Sequence, residues 1–184
     1  MADDVERILT AIAALPGEER RRLLQRLGVD EGALNQAALA LDFSAGELDG
    51  AADIVIIFDG GSRGNPGAGY GSYALVEPPA KKPQLVRLDF GRKMTNNEAE
   101  YESLIAALDG LIEQLVAAGR SPEKTSVEIR GDSALVIHQV EGSWKTKDDR
   151  MRLLRNRCRQ LLSRFRAHRL VLHGREESVR ILGH

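Results

Sequence analysis

Two hydrophobic periods alternate along most of this chain, and its elements begin and end where one gives way to the other. Residues 54–58, Ile-Val-Ile-Ile-Phe, form an unbroken β-branched and aromatic run, which predicts a buried central strand closed by Asp59. Residues 70–76 resume the same character, and the glycine-rich stretch between, with Asn65-Pro66-Gly67 at its middle, predicts an antiparallel hairpin. Pro78, Pro79 and Pro83 mark a turn, after which residues 84–90 alternate as a third strand. The period then lengthens: Leu104, Ile105, Leu108, Leu111, Ile112 and Leu115 recur on one face of a long helix, opened by Thr95 and Glu98 in a capping-box pattern and closed by Gly119. Residues 126–129 form a short fourth strand, followed by Gly131-Asp132-Ser133 and an apolar helical segment over 134–140. Residues 148–166 predict a basic amphipathic helix with Met151, Leu154, Leu161, Leu162 and Phe165 inward, and residues 170–172 a last strand. The order β-β-β-α-β-α-α-β predicts an α/β fold, a mixed five-stranded sheet flanked by helices.

Ahead of this lies a different pattern. Residues 4–14, 17–27 and 32–41 have helical spacing, each too short to be stable alone, so they must pack on one another, on the main domain or on another chain. Residues 43–52, rich in Gly, Ala, Ser and acids, look like a linker. The expected organisation is a helical appendage over 1–42, a linker over 43–52 and the main domain over 53–184.

Composition changes the picture in three ways. Of 184 residues, 42% are hydrophobic and 29% charged, enough to bury a core. The single cysteine, Cys158, excludes a disulfide framework and a cysteine zinc site; with no signal peptide and no apolar run of membrane-spanning length, no membrane and a cytoplasmic location are expected. The net charge of −1 hides a division: residues 1–52 carry 10 acidic and 5 basic side chains, whereas residues 145–175 carry 11 Lys and Arg against Asp148 and Asp149 alone. The basic segment calls for a polyanionic partner, and the acidic appendage suits a protein partner or self-association.

Three acids occupy comparable places: Asp59 at a strand end, one acid at the start of the long helix, and Asp132 at another strand end. Of Glu98 and Glu100, the capping box engages Glu98, and Glu100 lies roughly 200° around the helix from it, so Glu100 joins the set. Converging carboxylates repel and raise one another's pKa unless a cation meets them, and all-oxygen donors point to magnesium or manganese. Acids holding two such ions roughly 3.5–4 Å apart suit in-line attack of water on a phosphodiester. The loop over 60–71 contains no G-x-x-x-x-G-K-[ST] and leads into no helix, which excludes a phosphate loop, and its small residues would let a large ligand approach the backbone.

The stretches D-G-G-S-R-G-N-P-G-A-G at 59–69, T-N-N-E-A-E-Y at 95–101 and G-D-S-A-L-V-I-H-Q-V-E-G-S-W-K at 131–145 resemble the successive motifs of type 1 ribonuclease H in its compact bacterial and archaeal, reverse-transcriptase-like form. The resemblance covers about residues 53–180. It implies the ribonuclease H-like fold and cleavage of the RNA strand of RNA–DNA hybrids with magnesium or manganese. By position in the motifs it implies Asp59, Glu100 and Asp132 as the metal-binding catalytic acids and Asn65, Asn96 and Asn97 as residues near the substrate, where amides can donate to 2′-hydroxyls and phosphates. Trp144 and Lys145, heading the basic segment, are expected to flank the sugar–phosphate track. The family continues into R-E-x-N-x-x-A-D on a final helix, its Asp a fourth metal ligand; here Ser178 stands for the Asn and Leu182 for the Asp, and the chain stops at His184. That predicts a final helix nearly absent, with His184, or Glu176 and Glu177, to fill the vacancy, while His138 and His173 read as ordinary histidines. The chain is thus expected to be a hybrid nuclease, the alternative being a catalytically weakened module that binds hybrid or structured RNA; another phosphoryl-transfer enzyme would fit the same three acids.

Overall fold

The computed structural model describes residues 22–23, 25–28, 46–48, 50–78 and 82–183. The chain divides into two units, Met1–Phe43 and Ser44–His184. In the first, residues 22–23 and 25–27 are helical and Gly28 turns with φ of 64°; the helices expected over 4–14 and 32–41, and the turn at 79–81, lie outside the described residues.

The second unit is built on one mixed sheet. Its strands are β1 (Gly46–Glu47), β2 (Ile54–Gly64), β3 (Gly67–Val76), β4 (Gln84–Met94), β5 (Ser126–Gly131) and β6 (Ala167–Leu172), in the spatial order β1-β6-β5-β2-β3-β4. The β2-β3-β4 meander is antiparallel, and β5 and β6 join parallel to β2 and to each other. The helices are α1 (Asn96–Ala117), α2 (Ala134–Glu141), α3 (Asp149–Leu162) and α4 (Arg175–Leu182). The five expected strands are present, and β1 adds a sixth at the edge. Residues expected as linker thus form part of the sheet: Gly46 and Glu47 pair with Ala167 and His168, and Leu48 and Ala52 are buried with Ala167. Arg169 secures this edge, its Nη1 donating to the carbonyls of Leu48 at 3.5 Å and Gly50 at 3.4 Å.

Period-two alternation separates the two faces. Ile54, Ile56, Phe58, Tyr73, Leu75, Val127 and Ile129 point to the face covered by α1, α2 and α3, where Leu104, Leu108, Leu111, Val136, Val140, Leu161 and Leu162 complete the main core. The intervening Ile57 and Ala74 point to the other face and are capped by Leu182 of α4.

Two expectations are corrected here. The strand does not close at Asp59: β2 runs on to Gly64, Asp59 pairs with Ser72, and the hairpin closes at Gly64 and Gly67. The final helix is not absent. Ser178 and Leu182, four residues apart, share its buried face, and Leu182 is wholly buried against Ile57 and Ala74. The Ser178 hydroxyl lies 2.9 Å from His173 Nε2, tying the helix back to the end of β6. Substituting Leu182→Ala should therefore destabilise the domain by about 2–5 kcal/mol, the range for emptying a buried leucine site. Thermal melts would check this, and an unchanged melting temperature would show that α4 contributes nothing to the fold.

Candidate metal centre and nucleic-acid interface

The site is assembled where β2, α1 and β5 converge. Thr95 caps α1, its Oγ1 accepting from the Glu98 amide at 3.2 Å, while Glu98 Oε2 accepts from the Thr95 amide at 2.7 Å and the Thr95 hydroxyl at 2.8 Å. With Glu98 engaged at the helix end, Glu100 faces the sheet. Gly60 permits this: a Cβ there would stand 2.4 Å from the Ala99 carbonyl carbon and oxygen, so the α1 backbone rests directly on β2. Gly60 therefore makes room for the protein's own helix. The Gly60 amide donates to the Glu100 carboxylate.

Asp59, Glu100 and Asp132 meet here, each offering a carboxylate oxygen within 4.8 Å of the others'. Asp59 is buried, 6% exposed, and the other two are half-buried. Glu100 Oε2 and Asp132 Oδ2 are buried oxygens without a hydrogen-bond partner among the described residues. Burial, then the neighbouring charges of Asp59 and Asp132, push the Glu100 pKa up to about 9, with Arg175 opposing weakly. Three acids that crowd one point, two of them with unanswered buried oxygens, fit a hard divalent cation, which accepts several oxygen donors. The vacancy left by Leu182 is filled by apolar packing; His184 lies outside the described residues, Glu176 is exposed, and Glu177 is taken up by Arg130 Nη1 at 3.2 Å.

Beside the acids, asparagines fasten the hairpin tip to the start of α1. Asn96 Oδ1 accepts from the Ser62 amide at 3.0 Å, and Asn65 Oδ1 from the Asn96 amide at 3.3 Å. A backbone N–H can only donate, so each side-chain oxygen is committed inward and each Nδ2 amine is left as a donor. Asn97 is exposed next to them.

The basic segment divides into paired and unpaired cations. Arg157 pairs with Asp109 at 3.1 Å, Arg166 with Asp53 at 3.2 Å, Arg150 with Glu98 at 3.4 Å, Arg152 with Asp149 and Arg169 with Glu128. Arg155 and Arg159 are half-buried, and burial lowers the pKa of each. Lys145, Lys147, Arg164 and Arg175 are exposed and make no ion pair among the described residues. Five of the segment's eleven cations are thus matched by carboxylates within the fold, four of them by acids from outside the segment that a sequence count cannot pair. Trp144 is 49% exposed and packs on His138 with ring centroids 4.8 Å apart.

Residues 58–180 match the family described as reverse transcriptase-like. The chain belongs to that family. Among curated members it is 41% identical over 108 residues to ribonuclease HI of Halobacterium salinarum, a match covering 59% of this chain and 50% of that one. It is 40% identical over 114 residues to the bifunctional protein Rv2228c of Mycobacterium tuberculosis, covering 61% of this chain and 29% of that one. The chain therefore spans half or less of these relatives. Two crystal structures are covered more fully. RNase H1 from Halobacterium salinarum superposes with a TM-score of 0.57 at 35% identity, over 70% of this chain and 90% of that chain. LC11-RNase H1 in complex with RNA/DNA hybrid superposes with a TM-score of 0.58 at 28% identity, over 70% and 90%.

Within this reverse transcriptase-like domain, two contacts around the site were not legible in the sequence. Arg175 stands in the sequence only as the last cation of the basic segment, yet its charge reaches Glu100, and with Gly174, Glu176, Glu177 and Arg180 it lines a groove of about 620 Å³. His138 read as an ordinary histidine, and its stacking on Trp144 depends on the turn at Gly142 that brings the two together.

The proton on Glu100 makes the site testable through stability. Between its ordinary value of 4.5 and about 9, the folded protein holds a proton here that the unfolded chain has lost, so this group's contribution to stability falls as pH rises through that window. Melting temperatures measured in chelator should decline over that range, and a divalent cation should restore them at the alkaline end. Glu100→Gln should flatten the profile, and an unchanged slope would exclude Glu100 as its source.

Proposed function

We propose that the chain is a metal-dependent endonuclease that hydrolyses the RNA strand of RNA–DNA hybrids. The observation that supports this reading most is the gathering of three carboxylates within 4.8 Å, two with unanswered buried oxygens, in a chain of this family. In this reading Asp59, Glu100 and Asp132 hold magnesium or manganese, the donor set being all oxygen. A divalent ion bound there would activate water and neutralise charge at the leaving oxygen of a phosphodiester.

The residues of the chain do the rest. Glu100 must give up its proton before it can ligate, and the Gly60 amide stabilises the carboxylate that results. The Nδ2 groups of Asn65 and Asn96, pointed outward by their committed oxygens, together with Asn97, offer donors to the 2′-hydroxyls and phosphates of the RNA strand. Arg175 is placed to meet a phosphate beside the acids, and Lys145 with the exposed Trp144 flanks the sugar–phosphate track further along. These backbone contacts carry charge and shape in preference to base identity, so binding is expected to depend on salt and hardly on sequence. Residues 1–42 are proposed as a separate helical module for a protein partner or for self-association.

Cleavage of labelled RNA–DNA hybrid, double-stranded RNA and double-stranded DNA, each with Mg²⁺, Mn²⁺ or chelator, tests the reading. Hybrid alone should be cut, and only with metal. Asp132→Asn should lower kcat by at least about 100-fold, as removal of a principal charge-stabilising group does elsewhere, while fold and hybrid affinity persist. Full activity in Asp132→Asn would remove it from the mechanism, and hybrid binding by the parent without cleavage under any metal would favour the binding module.

A further inference from the structure

The loop joining α2 to α3 carries Trp144 and Lys145, and it is held from beneath by a polar network that the cleavage chemistry does not use. Tyr101 follows Glu100 on α1, is fully buried, and donates its hydroxyl to Gln139 Oε1 at 2.8 Å. Gln139, buried on α2, donates from Nε2 to the Lys145 carbonyl at 3.4 Å, a long contact. From the other side, Arg159 of α3 donates Nε to the Val140 carbonyl at 2.8 Å, filling the carbonyl end of α2 with a cation. Arg155 Nη1 reaches the hydroxyl of buried Thr146 at 3.4 Å. Gly142 ends α2 with φ of 105°, a left-handed backbone conformation that favours glycine. The Trp144 amide then donates to the His138 carbonyl at 3.1 Å, and the indole settles on the His138 ring.

An apolar pair in place of Tyr101 and Gln139 would fill the same space, whereas hydrogen bonds add direction. The direction runs from the residue after Glu100 to the backbone of the loop that flanks the proposed substrate track. We propose that Tyr101, Gln139, Arg155 and Arg159 are positioning residues, which fix the Trp144–Lys145 loop relative to the carboxylate cluster so that a strand seated on the loop reaches the acids in register. The proposal rests on the hybrid-nuclease reading. It also gives Arg155 and Arg159, which charge counting assigns to phosphate contacts, a role exerted through the loop they hold.

Trp144 is the chain's one tryptophan, so its emission reports the loop directly. In the full chain, Tyr101→Phe should shift the emission of the free protein to the red and raise its quenching by acrylamide. KM for hybrid should rise by roughly tenfold, the worth of one hydrogen bond in a buried network, with the loss falling on KM in preference to kcat. Thr146→Val removes the outer arm without touching α1, and should move emission and KM in the same direction; it decides the matter if Tyr101→Phe does not fold. Unchanged emission in the folded variants overturns the proposal, as does shifted emission with hybrid affinity intact, or a loss confined to kcat. If the parent chain binds hybrid without cutting it, the nuclease reading fails separately, while emission and directly measured hybrid affinity still decide the role of the network.

Discussion

The contact on which this molecule depends is that of the α1 backbone against β2 at Gly60, where no Cβ could be accommodated. It sets the height of the helix over the sheet, and through that height it places Glu100 beside Asp59 and Asp132. The same contact lets the Gly60 amide answer one of the carboxylate oxygens. The capping box at Thr95 and Glu98 sets the rotation of the helix about its own axis, so height and rotation are determined separately and locally. Few degrees of freedom remain for the acids, which is how a fold can hold like charges together when no cation is bound.

That crowding is unfavourable, and the fold contains features that oppose it. The acids lie where β2 and β5 run parallel, on a sheet whose main face is sealed by Leu104, Leu108, Val136 and Leu161 and whose other face is closed by Leu182. Ion pairs brace the far end: the Ser126 amide and hydroxyl, and then Arg166, hold the Asp53 carboxyl below its usual range at the start of β2. Burial would raise Glu128, but hydrogen bonds from Arg169 and Arg130 outweigh it and keep the group ionised across β5 and β6. Stable packing away from the site offsets strain at the site, a division common where ionisable groups are gathered for chemistry.

The basic surface shows the limit of counting charges. Eleven cations between Lys145 and Arg175 suggest one long contact with a polyanion, yet Arg157 is matched by Asp109 from α1 and Arg166 by Asp53 just before β2, and Arg159 is turned inward to a carbonyl. The exposed cations outside ion pairs among the described residues are few: Lys145 and Lys147 on one loop, Arg164 after α3, and Arg175, whose charge reaches Glu100.

Local features of the sequence determined much of this protein. The apolar run over 54–58, the capping box at Thr95 and the helical repeat from Leu104 to Leu115 each depend on neighbours within a turn or a strand, so the elements and their order were legible. The choice of Glu100 over Glu98 was legible for the same reason, since a capping box engages one and leaves the other free to turn elsewhere. Three things were decided only by tertiary contacts. Asp59 falls within a strand because Gly60 after it gives clearance for α1; residues 175–182 are a helix because Leu182 has a hydrophobic site to fill on the far face of the sheet; and Arg150 and Arg157 of α3 are answered by Glu98 and Asp109, acids more than 40 residues away in sequence. Each is a contact between segments remote in sequence, and only the folded chain brings such segments together.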